Sequence, residues 1–441
     1  MIADKISAGS RLRQADFEFG VATSSFQIEG ASRVDGKQAS IWDEFCRQPG
    51  RILDASHGDV ACDHYHRYED DIRLIRELGF EYSRLSLAWP RLITESGRWN
   101  EKGADFYRRL LECCHANGVT PNVTLYHWDL PASLQGAWLN RDTAYRFADY
   151  AAMTVKHLGD LMPRVSTLNE PWCSSILSYD LGYHAPGHND RAEGLRAAHH
   201  LMLASGLGLQ AMRAERSDQS LGLVLNFEAL QAQTDQDHSA RELVHAERVR
   251  FWMDRLFNRD PSPELMAQGG IDEQSGDRAI MAEPLDWLGV NYYTRSMVSA
   301  ADNPRGYDLA NEGQTERTHI GWDIHPQGLT DILVELHQDY PLPPIYITEN
   351  GAACDDVLKA GQVNDEQRRR YFQGHLAAVD QAIEQGVDIR GYYAWSLMDN
   401  FEWAFGYTQR FGLVYVDYET QARIPKASAL DWQQFLLDRS R

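Results

Sequence analysis

Eight short runs rich in β-forming residues recur along this chain of 441 residues, and amphipathic helical patterns lie between them. The predicted strands are residues 18–22, 82–88, 120–126, 164–169, 221–227, 288–292, 345–349 and 389–396. No low-complexity linker or change in composition separates one part of the chain from another. Repeated alternation of strand and helix predicts a single (β/α)8 barrel over residues 1–441 with long βα loops.

Three intervening helices have recognisable ends in the sequence. Residues 67–78 form a predicted helix that stops at Gly79, and residues 140–158 repeat the pattern. A third helix is predicted over residues 100–117, with Asn100 as its cap and Gly118 as its stop. Asn satisfies free N–H groups at a helix start, and Gly adopts the left-handed conformation that ends a helix.

Polar and aromatic residues stand where the predicted strands end. In strand order they are Gln27 and Glu29, Trp89, His127 and Trp128, Asn169 and Glu170, Asn226, Asn291 to Tyr293, Glu349, and Trp395. The carboxyl ends of the strands of a parallel barrel meet at one rim, where such enzymes keep their active sites. We therefore expect these side chains to converge on one site.

Two glutamates at this rim, Glu170 and Glu349, indicate the chemistry. Hydrolysis of a glycosidic bond requires a proton donor for the leaving oxygen and a second carboxylate at the anomeric carbon. We predict Glu349 as the nucleophile, because Tyr293 can donate a hydrogen bond to it and Arg84 can keep it ionised. Glu170 is then the acid, and later the base that activates water.

Seven collinear segments carry a family resemblance that covers nearly the whole chain. They are residues 25–30, 82–91, 125–131, 167–171, 289–293, 347–351 and 395–403, which include Thr-Leu-Asn-Glu-Pro around Glu170 and Ile-Thr-Glu-Asn-Gly around Glu349. The chain resembles glycoside hydrolase family 1, the β-glucosidase family. The resemblance implies a retaining mechanism through a covalent glycosyl-enzyme, with no cofactor and no metal.

By the same resemblance, one group of residues would bind the sugar at the non-reducing end (the glycone), and another would support the nucleophile. The glycone group is Gln27, His127, Trp128, Asn169, Trp395, Glu402 and Trp403, and the nucleophile group is Arg84, Asn291 and Tyr293. Expected substrates are cellobiose, short cello-oligosaccharides and aryl or alkyl β-glucosides. The sequence leaves open whether β-galactosides or β-fucosides are also accepted, because epimers can share one set of hydrogen-bonding groups.

Glu402 also separates subgroups of the family. Relatives that act on 6-phosphorylated sugars carry a small hydroxyl residue in its place and a downstream lysine, which residues 408–411 lack. An unphosphorylated substrate is therefore predicted, and a 6-phospho-β-glycosidase is the disfavoured alternative.

Beyond the glycone, the leaving-group (aglycone) side is expected to involve Trp322 as a stacking platform. Further candidates on that side are Trp172, Cys173, Leu177, His184, Asn226 and Phe411. We hypothesise that Trp172 and Leu177 narrow the entrance, so that free glucose re-enters poorly and inhibits weakly.

Charge and cysteine content restrict the partners. A net charge of -21 disfavours nucleic acid and anionic membrane surfaces, because phosphate groups bind basic surfaces. No segment has the ~20 apolar residues of a membrane span, and the first twenty residues lack the apolar core of a signal peptide. The six cysteines show no CxxC spacing, which favours reduced thiols and a cytoplasmic enzyme. A small-molecule glycoside is the expected partner, and the sequence is compatible with a homo-oligomer.

Two rival interpretations remain at this point. His57, His64 and His66, with Asp63 beside them, have the spacing of metal ligands, although the two last histidines lie on a predicted loop and only His127 stands at a strand end. A sugar-binding relative without catalysis is the other rival, since a fold alone does not prove activity. Retention of both glutamates disfavours it.

Overall fold

The computed structural model describes residues 2, 4–310 and 315–439 of the chain. Its strands are β1 Glu18–Ala22, β2 Tyr82–Ser86, β3 Thr120–Tyr126, β4 Arg164–Asn169, β5 Ser220–Ala232, β6 Trp287–Ala300, β7 Tyr307–Ala310, β8 Ile345–Asn350, β9 Ile389–Trp395, β10 Val414–Val416 and β11 Arg423–Pro425. β1 to β6, β8 and β9 are parallel, each pairs with the next, and β9 pairs with β1 to close the ring. The predicted (β/α)8 barrel is confirmed.

Helices cover the outside of this barrel and form parts of its loops. They are α1 Ser25–Ile28, α2 Ile41–Phe45, α3 His64–Glu77, α4 Trp89–Leu92, α5 Glu101–Ala116, α6 Asp142–Leu158, α7 Arg191–Glu215, α8 His238–His245, α9 Phe251–Leu256, α10 Pro263–Met266, α11 Asp277–Met281, α12 Pro326–Asp339, α13 Glu366–Glu384 and α14 Ala427–Arg439. Two segments, Cys173–Asp180 and Ala246–Arg250, are π-helical. Among the described residues, every helix is too short or too polar to span a lipid bilayer.

Several predicted bounds were wrong by a few residues, and two strands are much longer than predicted. β5 and β6 continue past the barrel rim and remain paired as far as Ala232 and Val298, after a register shift between Phe227 and Ala229. β6 then forms an antiparallel hairpin with β7. The continuous apolar run of β5 ends near Phe227, because the extension is no longer buried on both faces.

The helix α3 begins at His64, three residues before its predicted start. Asn100 precedes α5 as predicted, but its side chain does not cap that helix, because its amide donates to the carbonyls of Asp35 and Arg91 instead. Gly79 and Gly118 follow their helices with φ of +85° and +69°, as the predicted stops require.

Side chains fill the barrel interior at the amino ends of the strands. Arg164, at the start of β4, donates from Nη2 to Oε1 of Glu18 at 2.9 Å, and its guanidinium lies 4.0 Å from the ring centre of Tyr346. Trp287 and Tyr393 belong to the same buried layer. Since this end is packed, the open end of the barrel is the rim formed by the carboxyl ends of the strands.

Candidate active site

A cavity of about 630 Å³ opens at the rim formed by the carboxyl ends of the strands. Most of the candidate site residues line it: His127, Trp128, Glu170, Trp172, Cys173, Leu177, His184, Asn226, Tyr293, Trp322, Glu349, Trp395, Glu402, Trp403 and Phe411. Two other residues at strand ends turn away from it. Glu29 binds Arg91 and Tyr107, and Trp89 stacks on Tyr150 with ring centres 4.9 Å apart.

The four remaining candidates, Gln27, Arg84, Asn169 and Asn291, are fully buried against residues of the cavity wall. Asn169 lies with its Nδ2 3.1 Å from Nε2 of His127. Gln27 donates to the carbonyl of Phe401 at 2.8 Å, next to Glu402. These residues form a buried polar layer next to the wall, in which Nδ2 of Asn291 donates to Oδ1 of Asn169 at 3.0 Å.

Glu349 is the penultimate residue of β8, and its carboxylate accepts hydrogen bonds from two donors. Arg84, on β2, donates from Nη1 to its Oε1 at 2.5 Å, and the Tyr293 hydroxyl donates to its Oε2 at 2.6 Å. Burial raises the pKa of Glu349, while the Arg84 charge and the Tyr293 hydrogen bond oppose that rise. Both contacts stabilise the ionised carboxylate.

Glu170 directly follows β4 and has only weaker, uncharged donors. Its Oε1 accepts from Nδ2 of Asn291 at 2.7 Å, and its Oε2 accepts from Sγ of Cys173 at 3.1 Å. Burial, together with the charge of Glu349, raises the pKa of Glu170 to about 8. Of the two carboxyls, Glu170 therefore holds the proton near neutral pH, because charged Arg84 stabilises the anion on Glu349.

Three residues of the cavity wall have strained backbones. Trp128, Glu170 and Trp403 adopt φ of +78°, +47° and +49°, in the left-handed region that favours glycine. Side chains larger than glycine persist there only when the surrounding structure holds them. Such strain is typical of functional sites, and in this case it turns three side chains into one cavity.

Aromatic rings form one side of the cavity. Trp128 and Trp403 lie 4.4 Å apart, and the His127 ring is nearly parallel to those of Trp395 and Trp403. Burial, with the nearby charge of Arg84, lowers the pKa of His127 well below its usual value, so this imidazole is neutral. The arrangement offers flat apolar faces beside polar groups, which suits a pyranose ring.

Glu402 contributes a third carboxyl to the cavity. Its Oε2 is buried and has no hydrogen-bond partner among the described residues. Burial and the charges of Glu349 and Glu170 raise the pKa of Glu402 to about 8. An unpaired buried carboxyl oxygen is costly, and a ligand hydroxyl would satisfy it.

A second group of cavity rings, Tyr293, Trp322 and Phe411, has ring centres 5.5 to 6.1 Å apart. Trp172, on the wall beside Glu170, is covered by the guanidinium of Arg248 at 4.2 Å. These rings line the same cavity as Glu170 and Glu349.

Sequence reasoning missed a polar cluster in the same cavity. Arg248 donates to Oε1 of Glu228 at 2.7 Å, and the hydroxyl of Ser296 donates to its Oε2 at 2.5 Å. Glu228 sits at the register shift of β5, and Arg248 belongs to a π-helical segment. Additional lining residues that were missed are Phe45, Arg51, Tyr183, Thr294 and Phe405. The one signal that could have indicated the cluster is the extension of β5 and β6 beyond the rim, but the predicted strands ended at residues 227 and 292.

The histidines at the start of α3 have protein partners. His64 is buried with its Nδ1 2.8 Å from Asp71, and His66 lies 2.6 Å from Asp63 at the surface. They belong to the first turn of the helix, so their predicted position on a loop was wrong. Within residues 2, 4–310 and 315–439, no group of three His, Cys, Asp or Glu side chains is arranged to hold a metal ion.

Comparisons with known proteins show the family of this chain. The model of glycosyl hydrolase family 1 matches residues 10–440. A β-glucosidase from Agrobacterium sp. is 44% identical over 426 residues, which cover 94% of this chain and 93% of that protein. A bifunctional β-D-glucosidase/β-D-fucosidase from Bifidobacterium breve is 43% identical, covering 96% of this chain and 98% of that protein.

The fold is also similar to that of a solved structure. The β-glucosidase from Thermotoga maritima in complex with glucoimidazole superposes with a TM-score of 0.93 and 38% sequence identity. The match covers 96% of this chain and 98% of that chain.

Proposed function

The chain belongs to glycosyl hydrolase family 1, and we propose that it is a β-glucosidase that releases terminal β-D-glucosyl residues with retention of configuration. Cellobiose, short cello-oligosaccharides and aryl or alkyl β-glucosides are its proposed substrates. The observation that carries the proposal is the unequal surroundings of two carboxyls in one cavity. Glu349 has a charged donor and a phenol, and Glu170 has an amide and a thiol.

In the first step, an ionised oxygen of Glu349 attacks the anomeric carbon while the bond to the leaving oxygen breaks. Glu170 transfers its proton to that oxygen, so the aglycone leaves as a neutral alcohol. Glu349 is suited to attack because Arg84 and Tyr293 favour its carboxylate. Glu170 is suited to donate because its raised pKa keeps it protonated near neutral pH.

In the second step, Glu170 is the base. Once Glu349 carries the sugar as an ester, its negative charge is gone, and the main Coulombic cause of the high pKa of Glu170 disappears with it. The Glu170 carboxylate then takes a proton from water, whose oxygen attacks the anomeric carbon and frees Glu349. Two inversions give net retention.

The proposed glycone site uses the aromatic side of the cavity. Trp395 lies beneath the ring, while His127, Trp403 and Glu402 face its hydroxyls, supported by Gln27 and Asn169 from behind. The unpartnered Oε2 of Glu402 supports this role, since it offers an acceptor to a sugar hydroxyl.

An unphosphorylated glycone is proposed for an electrostatic reason. Glu170, Glu349 and Glu402 line one cavity, and the cation nearest the nucleophile, Arg84, is already bound to Glu349. A phosphate group would bring two more negative charges next to the Glu349 carboxylate, and Arg248, another cation of the cavity, is already bound to Glu228. By analogy with the Bifidobacterium relative, β-D-fucosides are proposed as additional substrates.

A cytoplasmic location is part of the proposal. All six cysteines are free thiols, and four of them, Cys62, Cys114, Cys173 and Cys354, are buried. Buried reduced thiols are typical of proteins in a reducing compartment.

A panel of nitrophenyl β-glycosides with cellobiose tests the function directly. The expected result is turnover of glucosides and cellobiose, with the β-anomer of glucose as first product in an NMR time course. Release of the α-anomer first would contradict retention, and no turnover of any member would contradict the enzyme assignment.

A further inference from the structure

A chain of hydrogen bonds connects Arg84 to Glu170 through the buried amides of Asn169 and Asn291, and the donor of each bond is fixed. A guanidinium only donates, and Nη2 of Arg84 lies 2.7 Å from Oδ1 of Asn169, so that atom is an acceptor. Nδ2 of Asn291 lies 3.0 Å from the same Oδ1 and must be a donor. The same Nδ2 lies 2.7 Å from Oε1 of Glu170. This oxygen therefore faces an N–H group whatever the protonation state of Glu170.

The fixed polarity decides which oxygen of Glu170 carries the proton. A hydroxyl at Oε1 would point its hydrogen at an N–H, so the proton belongs on Oε2. The neighbour of Oε2 is Sγ of Cys173, at 3.1 Å. A thiol can donate its S–H or accept a hydrogen bond, and it changes between the two by rotating about one bond.

We propose that Cys173 is a positioning residue that holds the proton-carrying oxygen of Glu170 in both halves of the reaction. Its sulfur accepts from the Oε2 hydroxyl when Glu170 is the acid, and its S–H donates to Oε2 when Glu170 is the base. The thiol keeps its own proton throughout. Only the proton on Oε2 moves, first to the leaving oxygen and later back from water.

Two features of the structure support this role. The Cys173 side chain is buried, and its backbone N–H donates to the carbonyl of Glu170 at 2.9 Å, so a short turn fixes the sulfur beside the carboxyl. Burial raises the pKa of the Cys173 thiol well above its usual value, which keeps it as S–H. The inference rests on the proposed function of Glu170 as acid and base.

Other groups also influence Glu170, and the test must separate them from Cys173. The titratable and charged side chains around this pair are Glu349, Arg84, Tyr293, Glu402 and Arg248. None of them is altered by a substitution at Cys173, so a change confined to Glu170 is attributable to the thiol.

The experiment is a pH profile of kcat/KM, whose alkaline limb reports the acid of the free enzyme. Cys173→Val fills the same space and removes both bonds, of which the S–H bond to the charged carboxylate is the stronger. The Glu170 carboxylate therefore loses more stabilisation than the acid form, and the alkaline limb moves up by about half to one pH unit. Cys173→Ser keeps a stronger donor to a carboxylate, so its limb lies below that of the wild type. Cys114→Val, which alters a buried thiol on α5, is the matched control and leaves the limb in place.

An unchanged or lowered limb in Cys173→Val overturns the inference. If that variant does not fold, Cys173→Ser decides alone: a lowered limb supports the inference, and a limb at or above the wild-type position overturns it.

Glu170→Gln distinguishes a failure of the proposed function of Glu170 from a failure of the proposed role of Cys173. If it hydrolyses cellobiose at the wild-type rate, Glu170 is not the acid, and both the proposed mechanism and the inference fail. If it is inactive on cellobiose while Cys173→Val keeps the wild-type limb, only the inference fails.

Discussion

The hydroxyl of Tyr293 lies 2.6 Å from Oε2 of Glu349 and donates a hydrogen bond to it. Arg84 donates to Oε1 of the same carboxylate, so each oxygen of Glu349 accepts a hydrogen bond. Glu170, by contrast, has no charged donor among the described residues that bind its oxygens. This difference in hydrogen-bond donors favours the ionised form of Glu349 over that of Glu170, although both carboxyls share one buried cavity.

Removal of the Tyr293 hydroxyl should shift the acidic side of the pH profile. Tyr293→Phe takes one donor from the Glu349 carboxylate, which raises the pKa of Glu349. Because Glu349 must be ionised to attack, activity is then lost at a higher pH as the solution is acidified. We expect the acidic limb of kcat/KM to rise by about one pH unit, or ~1.4 kcal/mol.

The neighbouring tyrosine provides the control for that experiment. The hydroxyl of Tyr292 donates to the carbonyl of His325, away from the cavity. Tyr292→Phe should leave the acidic limb unchanged, and an equal shift in both variants would contradict the role of Tyr293.

Glu349→Gly should lower turnover of an aryl β-glucoside by at least about a thousandfold, because no carboxylate remains to attack the anomeric carbon. Azide fits the vacated space and attacks from the same face, so it should restore turnover and give the α-glycosyl azide. Mass spectrometry and NMR identify that product. Wild-type rates in the variant, or a β-azide product, would refute the assignment.

Glu170→Ala should discriminate between leaving groups. Substrates whose leaving oxygen must be protonated, such as cellobiose, should slow by about a thousandfold or more, within the upper range for general acid catalysis. A 2,4-dinitrophenyl β-glucoside leaves without protonation, so formation of its glycosyl-enzyme should be far less affected. Burst kinetics measure this step, and equal losses for both substrates would argue against an acid role.

Discrimination against phosphate should depend on pH through Glu402. Its pKa of about 8 means that it gains its negative charge as the pH rises through that value. The inhibition constant of glucose 6-phosphate relative to that of glucose should therefore increase by about tenfold between pH 7 and 9. Glu402→Gln should weaken the pH dependence of this ratio, and the remainder is due to Glu170, whose pKa is also about 8. A flat ratio in the wild type would disprove a role for the Glu402 charge.

Inhibition by glucose tests the shape of the entrance. Trp172 and Leu177 both line the cavity that contains Glu170. If they narrow the entrance, the wild type should tolerate glucose above the low millimolar range, and Trp172→Ala should lower the half-inhibiting concentration. Leu53→Ala, at an exposed side chain outside the cavity, is the control. Half-inhibition of the wild type at low millimolar glucose would reject the hypothesis.

Much of this site could be anticipated from the chain because its signals are local. A β-branched run that ends in Asn-Glu-Pro or Glu-Asn-Gly indicates a strand end, and strand ends of a barrel share one rim. The Arg248–Glu228 pair could not be anticipated in this way. It depends on β5 continuing past the rim and on a π-helical segment that turns Arg248 over Trp172.

The Asn100 side chain is a second case in which tertiary contacts overrule a prediction from the local sequence. Its position before α5 is that of a cap, and local propensity predicts a hydrogen bond to the helix. In the folded chain, the Asn100 Nδ2 donates to the carbonyls of Asp35 and Arg91, and these two bonds hold the side chain where its Oδ1 accepts no hydrogen bond from the helix. Local propensity differs by only about 1 kcal/mol between alternatives, so tertiary contacts can overrule it.

By itself, the sequence determined the alternation of strands and helices, the barrel that follows from it, and the two glutamates that stand at its rim. Those features depend on side-chain period and turn chemistry, which act over a few residues. The sequence also predicted unequal roles for the two glutamates, but only the tertiary structure supplied the contacts behind those roles. They are the Arg84 charge and the Tyr293 hydroxyl at Glu349 and the Cys173 thiol at Glu170, at distances of 2.5 to 3.1 Å. Electrostatic interactions in a buried cavity act through space, and residues far apart in the chain supply them.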